Sequence, residues 1–240
     1  MNLAGYVALT RQSGLLKEMQ SVANNIANLS TTGFRREGVL FAEHLRMLPL
    51  EGGAVAMTEA RGRWTDAGQG ALVQTGGALD LAIEGEGFFR VLTPGGERLT
   101  RAGAFTRNGE GEVVAMDGHP LLDEGGGPIL IPFEAQAISV ASDGTLSVDG
   151  EPAALIGLVT VEDATKLFRE TGTLFRYEAE PMPMEGGRLV QGFLEQSNVN
   201  AVAEMTRMIA VQRAYEYGQK LMDQEDERIR LVVRTIGVRA

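Results

Sequence analysis

Among its 240 residues the sequence has no cysteine, two histidines and one tryptophan. The first absence removes disulfides, thiolate metal ligands and thiol chemistry together. The two histidines, His44 and His119, are far apart and have no ligand spacing around them, so no metal site is expected. No Gly-x-Ser-x-Gly occurs, and nucleophile–base pairs are limited to Ser or Thr with one of those two histidines. No apolar run approaches the roughly 18–20 residues that span a bilayer, so no direct membrane insertion is expected. The opening MNLAGYVALTRQSGLLKEMQ has no basic n-region, compact apolar core or small-residue cleavage site. A Sec-type signal peptide is therefore not expected. Positive charge is also in short supply. Lys and Arg total 22 against 32 Asp and Glu, giving a net charge of −10 and a pI near 4.8, which argues against a nucleic-acid partner.

Hydrophobic residues make up 44% of the chain, enough to bury a core. All eight prolines and 22 of the 31 glycines lie between Pro49 and Pro183. Turns are thus expected in the middle and helices at the ends. At the amino end Ala8, Gln12, Leu15, Met19, Val22, Ile26 and Leu29 form a heptad seam with one polar interruption. Gly33 is expected as its left-handed C′ cap, closed by Phe34. At the carboxyl end one seam runs Ala201, Met208, Tyr215, Met222, Ile229 and Ile236. A partner seam runs Met205, Gln212, Gln219, Asp226 and Val233, apolar only at its ends. Asn198 or Asn200 is the expected N-cap of a helix from about Ala201 to about Thr235.

The middle reads as strands separated by Asn108-Gly109, Asp117-Gly118, Asp143-Gly144 and Asp149-Gly150. The second and third of these are expected to close hairpins. The fold class is α+β, with long N- and C-terminal helices pairing as a coiled coil around a central all-β domain. The expected boundaries are 1–45 for the N-terminal helix and its extension, 46–75 for a connection, 76–190 for the β domain and 191–240 for the C-terminal helix. Each helix has only a narrow apolar stripe, and pairing two of them still leaves apolar surface uncovered.

One short stretch resists a simple helical explanation. ANNIANLSTTGFRRE (Ala23–Glu37) places Asn24, Asn25 and Asn28 among apolar residues at helical spacing, although asparagine is a mediocre helix former. Amides at a protein interface weaken packing but fix register, because a mismatched register leaves them unpaired. An interface is the preferred explanation, with solvent exposure the alternative.

Other candidate chemistry is weak. EGEG (Glu84–Gly87) precedes a strand, so no helix N-terminus is there to hold an anion, and a turn or bulge is the better assignment. Glu84 and Glu86, or Glu110 and Glu112, resemble paired catalytic acids only superficially, since acids in turns are usually solvated. Trp64 with Arg61 and Arg63 is too little for base stacking in an acidic chain. Met205, Met208 and Met222 are expected as gap-filling core residues. No catalytic residue, cofactor or small-molecule substrate is assigned.

SVANNIANLSTTGFRRE (Ser21–Glu37) and SNVNAVAEMTRMIAVQRAYEYGQKLM (Ser197–Met222) resemble the amino- and carboxyl-terminal signatures of the flagellar rod and hook proteins. ALDLAIEGEGFFRV (Ala78–Val91) and TRAGAFTRNGEGEVV (Thr100–Val114) are similar to that family's central β domain. The resemblance implies a non-enzymatic structural subunit of the bacterial basal-body rod, within the periplasm, that polymerises helically around the export channel and transmits torque. It implies a proximal position in the rod, with a distal one as the alternative. It also implies two sets of partners: further copies of this chain with other rod proteins, and the flagellar type III export apparatus. Residues carried over as assembly contacts are Asn24, Asn25, Ile26, Asn28, Thr32, Gly33 and Phe34 at one end. At the other they are Ser197, Asn198, Val199, Asn200, Met205, Gln212, Arg213, Ala214 and Tyr215. From a different class, a periplasmic β-domain binding module remains the competing expectation.

Overall fold

In a computed structural model, residues 3–47, 54–184 and 186–237 are described, with side chains from 8–40, 62–184 and 186–235. The chain divides into two compact units. One comprises Met1–Ala27, Glu37–Trp64 and Asn200–Ala240, and the other Asn28–Arg36 and Thr65–Val199.

The first unit contains α1 (Leu3–Ala27), the paired strands β1 (Glu37–Met47) and β2 (Ala54–Thr65), and α2 (Ala201–Gly237). The two helices run antiparallel. Gln12 Nε2 donates to the Tyr215 carbonyl at 2.9 Å, Arg207 pairs with Glu18 at 2.7 Å, and Asn25 Nδ2 reaches Glu204 Oε2 at 3.2 Å. Asn200 caps α2 by accepting from the Ala203 amide at 3.0 Å, which satisfies one of the orphan donors of the first turn.

The buried faces differ from the expected seams. On α1 the residues most fully covered are Gln12, Gly14, Ser21, Val22 and Asn25, while Ala8, Leu15, Met19 and Ile26 are half-buried. On α2 the seam of Ala201, Met208, Tyr215 and Met222 does turn inward. Its partner is Glu204, Val211, Gly218 and Glu225, not Met205, Gln212, Gln219 and Asp226. Met205 is exposed rather than core. The shift by one residue has polar contacts on it: Glu204 answers Asn25, and a Cβ at Gly218 would lie 2.4 Å from Gln12 Nε2, so a larger residue there would displace that amide. Among the described side chains of this unit, only Val22, Val39 and Val211 are buried hydrophobics. Each contributes about 1.5–3 kcal/mol, little for helices of 25 and 37 residues whose backbone ordering costs about 1–2 kcal/mol per residue.

The second unit is β-rich. Its strands are β3 (Leu72–Gln74), β4 (Leu81–Glu84), β5 (Phe88–Thr93), β6 (Gly96–Thr100), β7 (Phe105–Arg107), β8 (Val113–Ala115), β9 (Ile138–Val140) and β10 (Thr145–Val148). They continue through β11 (Glu151–Leu155), β12 (Leu158–Thr160), β13 (Leu167–Thr171), β14 (Leu174–Tyr177), β15 (Met182–Pro183), β16 (Arg188–Gln191) and β17 (Phe193–Glu195). The largest sheet has the order β13-β14-β6-β5-β12-β15; β11-β10-β9 forms a second, and β16-β4, β17-β3 and β7-β8 are two-stranded.

Both expected hairpins form: the Asp117-Gly118 turn is closed by Ala115 and His119, and the Asp143-Gly144 turn joins β9 to β10. Asn108-Gly109 and Asp149-Gly150 close hairpins as well. At the latter both turn residues have positive φ, 51° and 89°, as the twist of a two-residue hairpin demands. EGEG is the turn from β4 to β5. Phe89, Val91, Leu121, Ile129 and Leu146 are central to the main apolar cluster, and Phe88, Leu99, Val159 and Phe175 form a second.

Gly33 is left-handed, with φ +68°, but it is not the cap of α1. The helix stops at Ala27, and Asn28–Thr31 makes its own turn, with the Thr31 amide donating to the Asn28 carbonyl at 3.2 Å and the Thr31 hydroxyl bonding Asn28 Oδ1. Gly33 belongs to the β-rich unit. Its amide donates to the Glu195 carbonyl at 2.8 Å, and a Cβ there would lie 2.3 Å from the Ala102 nitrogen.

Candidate functional site

The sequence-assigned residues fall into two groups. In the helical unit, Asn25 is fully buried. Its Nδ2 donates to the Glu37 carbonyl at 2.8 Å while its Oδ1 accepts the Glu37 amide at 2.9 Å. The Ser21 hydroxyl adds a bond to the same carbonyl at 3.3 Å. Asn25 thus spends its amide inside its own chain. Asn24 and Ile26 are half-buried neighbours; Met205, Gln212 and Arg213 are exposed on α2; Ala214 and Tyr215 are half-buried.

In the β-rich unit, residues 28–36 lie as an irregular strap. Asn28 and Thr32 are half-buried and Phe34 is buried. Phe34 sits under the Arg169 guanidinium, 4.3 Å from its ring centre, and the same guanidinium covers Phe175 at 4.6 Å on its way. Such stacking uses the planar, weakly hydrated character of arginine. Asn198 ties this strap to two other segments. Its Oδ1 accepts the Arg36 amide at 2.6 Å, its amide donates to the Phe34 carbonyl at 3.3 Å, and its Nδ2 donates to the Asp66 and Gly68 carbonyls at 3.3 and 2.8 Å. Ser197 and Val199 flank it, half-buried, with Ser197 Oγ accepting the Val199 amide.

The sequence reading missed a buried ion cluster at the same place. Arg35, Arg101 and Glu195 have side chains 2–3% exposed. Arg35 reaches Glu195 Oε1 at 3.0 Å, and Arg101 reaches Oε2 at 3.2 Å. The Gly70 amide donates to Oε1 as well. Arg35 also donates to the Gly68 carbonyl, and Arg101 to the Ile83 and Gly85 carbonyls. Burial, reinforced by Arg35, pushes the Arg101 guanidinium down to about 10. It stays charged at neutral pH, so two buried cations share one carboxylate. Arg35 stands inside the GFRRE motif, and two adjacent arginines after an apolar residue were the available signal. Its partners are 66 and 160 residues away in sequence, and no local pattern joins them.

A groove of about 600 Å3 opens beside this cluster, lined in part by Thr31, Thr32, Thr100, Met116, His119 and Thr173. Arg98 and Glu170 pair at its rim; that contact raises the Arg98 guanidinium and holds the Glu170 carboxyl below its ordinary range. Among the described residues no three His, Cys, Asp or Glu side chains converge as a metal site. No helix of the described residues is long and apolar enough to cross a membrane. The side chains of His44 and Arg61 lie outside the described residues. Arg63 points toward Glu37, 3.9 Å away. Trp64 packs over Gly38.

Two helices with little core of their own and a β-rich unit closed by a polar knot define a structural subunit, and the comparisons agree. Residues 6–35 match the model of the flagella basal body rod protein, 82–148 that of the flagellar hook protein FlgE/F/G D1 domain, and 190–234 that of the flagellar basal body rod FlgEFG protein C-terminal. The flagellar basal-body rod protein FlgF of Caulobacter vibrioides is 40% identical over 242 residues, covering 99% of each chain. That of Rhizobium meliloti is 37% identical over 236 residues, covering 97% of each. The basal-body rod protein FlgG of Bacillus subtilis is 33% identical over 249 residues, covering 92% of this chain and 94% of its own. The chain belongs to the flagellar basal-body rod family; the FlgF proteins of Caulobacter vibrioides and Rhizobium meliloti match it at higher identity than the FlgG of Bacillus subtilis does. The family is structural, and the chain is not an enzyme.

Proposed function

We propose that the chain polymerises helically through α1 and α2, packed with neighbours as a coiled-coil layer around the export channel, as a proximal subunit of the torque-transmitting rod. One observation carries this. Val202, Met205, Ile209, Tyr217 and Leu221 on α2, and Leu9 and Leu16 on α1, are exposed, with Val202 at 74% and Tyr217 at 69%. A monomer has no reason to display so many large apolar side chains along paired helices. Heterologous contacts between copies would cover them and generate an open helical polymer. Helices so poorly covered alone also resist premature assembly, because ordering them costs entropy that only neighbouring copies offset.

Within that assembly Met205, Gln212 and Arg213 make direct contacts with other copies or other rod proteins. Asn24, Ile26, Asn28, Thr32, Ser197, Val199, Asn200 and Ala214 border those contacts. Asn25, Gly33, Phe34, Asn198 and Tyr215 act from inside, holding the shape that is presented. Delivery through the flagellar export apparatus to the periplasm belongs to the same proposal. The greater similarity to proteins named FlgF than to one named FlgG favours the proximal position over the distal one. A density map of purified basal bodies, with this chain fitted, tests it. Density for α1 and α2 in the innermost layer of the proximal segment is the expected result. Density only in the distal segment would move the chain there, and density outside the rod would end the proposal.

A further inference from the structure

The strap is held to the β-rich unit in an unusual way. Neither apolar cluster of that unit contains a residue from 28–36. Phe34 is the strap's buried aromatic, and a guanidinium covers it. Without the strap, Arg101 and Glu195 still pair: Arg101 keeps the Ile83 and Gly85 carbonyls, and Glu195 keeps the Gly70 amide, although Arg101 Nε has no partner among the described residues. The charges of that pair cancel. Docking the strap inserts Arg35, a second buried cation, next to Arg101. The Arg35 Nε is also buried with no partner among the described residues. Burying an extra cation against a like charge is costly unless its bonds are good. Here Arg35 bonds Glu195 and the Gly68 carbonyl, Phe34 stacks under Arg169 and Asn198 pairs with the strap, so polar and stacking contacts rather than apolar burial hold it.

We propose that residues 28–36 form a latch on the β-rich unit, closed by Arg35 on Glu195 and Phe34 under Arg169, which opens and closes while both apolar clusters stay intact. Opening removes two bonds of Asn198 at the same time, since its amide bonds the Phe34 carbonyl and its side chain accepts the Arg36 amide, while its Nδ2 keeps the Asp66 and Gly68 carbonyls. The strap therefore lets go while the carboxyl-terminal exit loosens but stays tied to residues 66–68. This inference rests on the β-rich unit alone and stands apart from the rod assignment.

Hydrogen exchange on the full 240-residue chain tests it. The amides of Gly33, Arg36 and Asn198 should exchange with one common opening constant, about 100-fold faster than those of Val113 and Leu121 in the core. Arg35→Met should speed the three by a further tenfold or so, leaving the β-rich unit's melting temperature unchanged. Arg101→Met should lower that melting temperature, because it removes from inside the unit the donor that the Ile83 and Gly85 carbonyls share. Exchange of the strap amides at the core rate would overturn the latch. So would an Arg35→Met protein that melts as low as Arg101→Met, since the strap would then be core.

Discussion

Asn25 binds Glu37 as one strand binds the next: its amide gives a hydrogen to the Glu37 carbonyl and takes one from the Glu37 amide, at 2.8 and 2.9 Å. The first residue of β1 is thereby fastened to the last turns of α1, twelve positions earlier in the chain. Asn25→Leu would take away the acceptor of the Glu37 amide and leave its carbonyl with the weaker Ser21 bond, and losing a buried partner in this way costs about 1–3 kcal/mol. The loss should fall on the helical unit only. Circular dichroism of the full chain should show reduced helix, while the melting transition of the β-rich unit stays in place. A shift of that transition by as much as the helical signal would show that the two units are not independent in stability.

This pairing also marks how far the sequence could be read. The two helices, the β-rich middle, both expected hairpins and the capping by Asn200 followed from periodicity and turn dipeptides, which are local signals. Asn24, Asn25 and Asn28 were expected together at an interface with neighbouring protein, whereas Asn25 is bonded within its own chain. That the partner is the backbone of its own chain is a tertiary fact with no local trace. The same holds for Glu204 and Gly218. Apolar spacing pointed to Met205 and Gln212 for the second seam, but it lies one residue away, where a carboxylate answers an amide and a glycine leaves room for a glutamine. The Arg35–Glu195–Arg101 cluster was illegible for the same reason.

Gly33→Val should disable the strap by sterics rather than charge. The residue has φ +68°, where a β-branched side chain is an outlier, and its Cβ would meet the Arg101–Ala102 peptide at 2.3 Å. Backbone must move, so Phe34 cannot reach its place under Arg169. Cells carrying only this variant should swim poorly or not at all. Soft-agar expansion equal to wild type would mean that the close approach at Gly33 is dispensable.

The Arg98–Glu170 pair offers a pH test with a definite sign. The bond to Arg98 lowers the Glu170 carboxyl below its ordinary value of 4.5. A carboxyl with a depressed folded-state pKa stabilises the fold above the unfolded-state value, and that contribution disappears as pH falls through the folded-state one. The Glu170 side chain is about half exposed, so the effect on stability is small and salt-sensitive. The titration itself is the better readout. Carbon-detected NMR should place the Glu170 midpoint below 4.5 in the wild type and move it upward in Arg98→Met, with Arg176 still holding part of the depression. An unchanged midpoint in the variant would assign the depression to something other than Arg98.

Met205 and Val211 sit less than two turns apart on α2 and on different faces: Met205 is 53% exposed and Val211 is 5% exposed. They separate assembly from folding. Val211→Asp places a charge against α1 in a unit with few buried hydrophobics, and should cost about 3 kcal/mol or more, abolishing helix pairing in the monomer. Met205→Asp alters a side chain that the described residues leave about half exposed. Its monomer should keep wild-type helix content and melting behaviour within about 0.5 kcal/mol. If other copies cover that surface, the same aspartate becomes buried on assembly, unpaired and facing an acidic neighbour. Rod formation should then fail in cells although soluble, folded protein accumulates, which electron microscopy of basal bodies and an immunoblot of the cell fraction would read together. Full-length rods containing Met205→Asp at normal stoichiometry would show that this face of α2 stays in solvent. The contacts between copies would then have to lie on α1, on another face of α2 or on the β-rich unit.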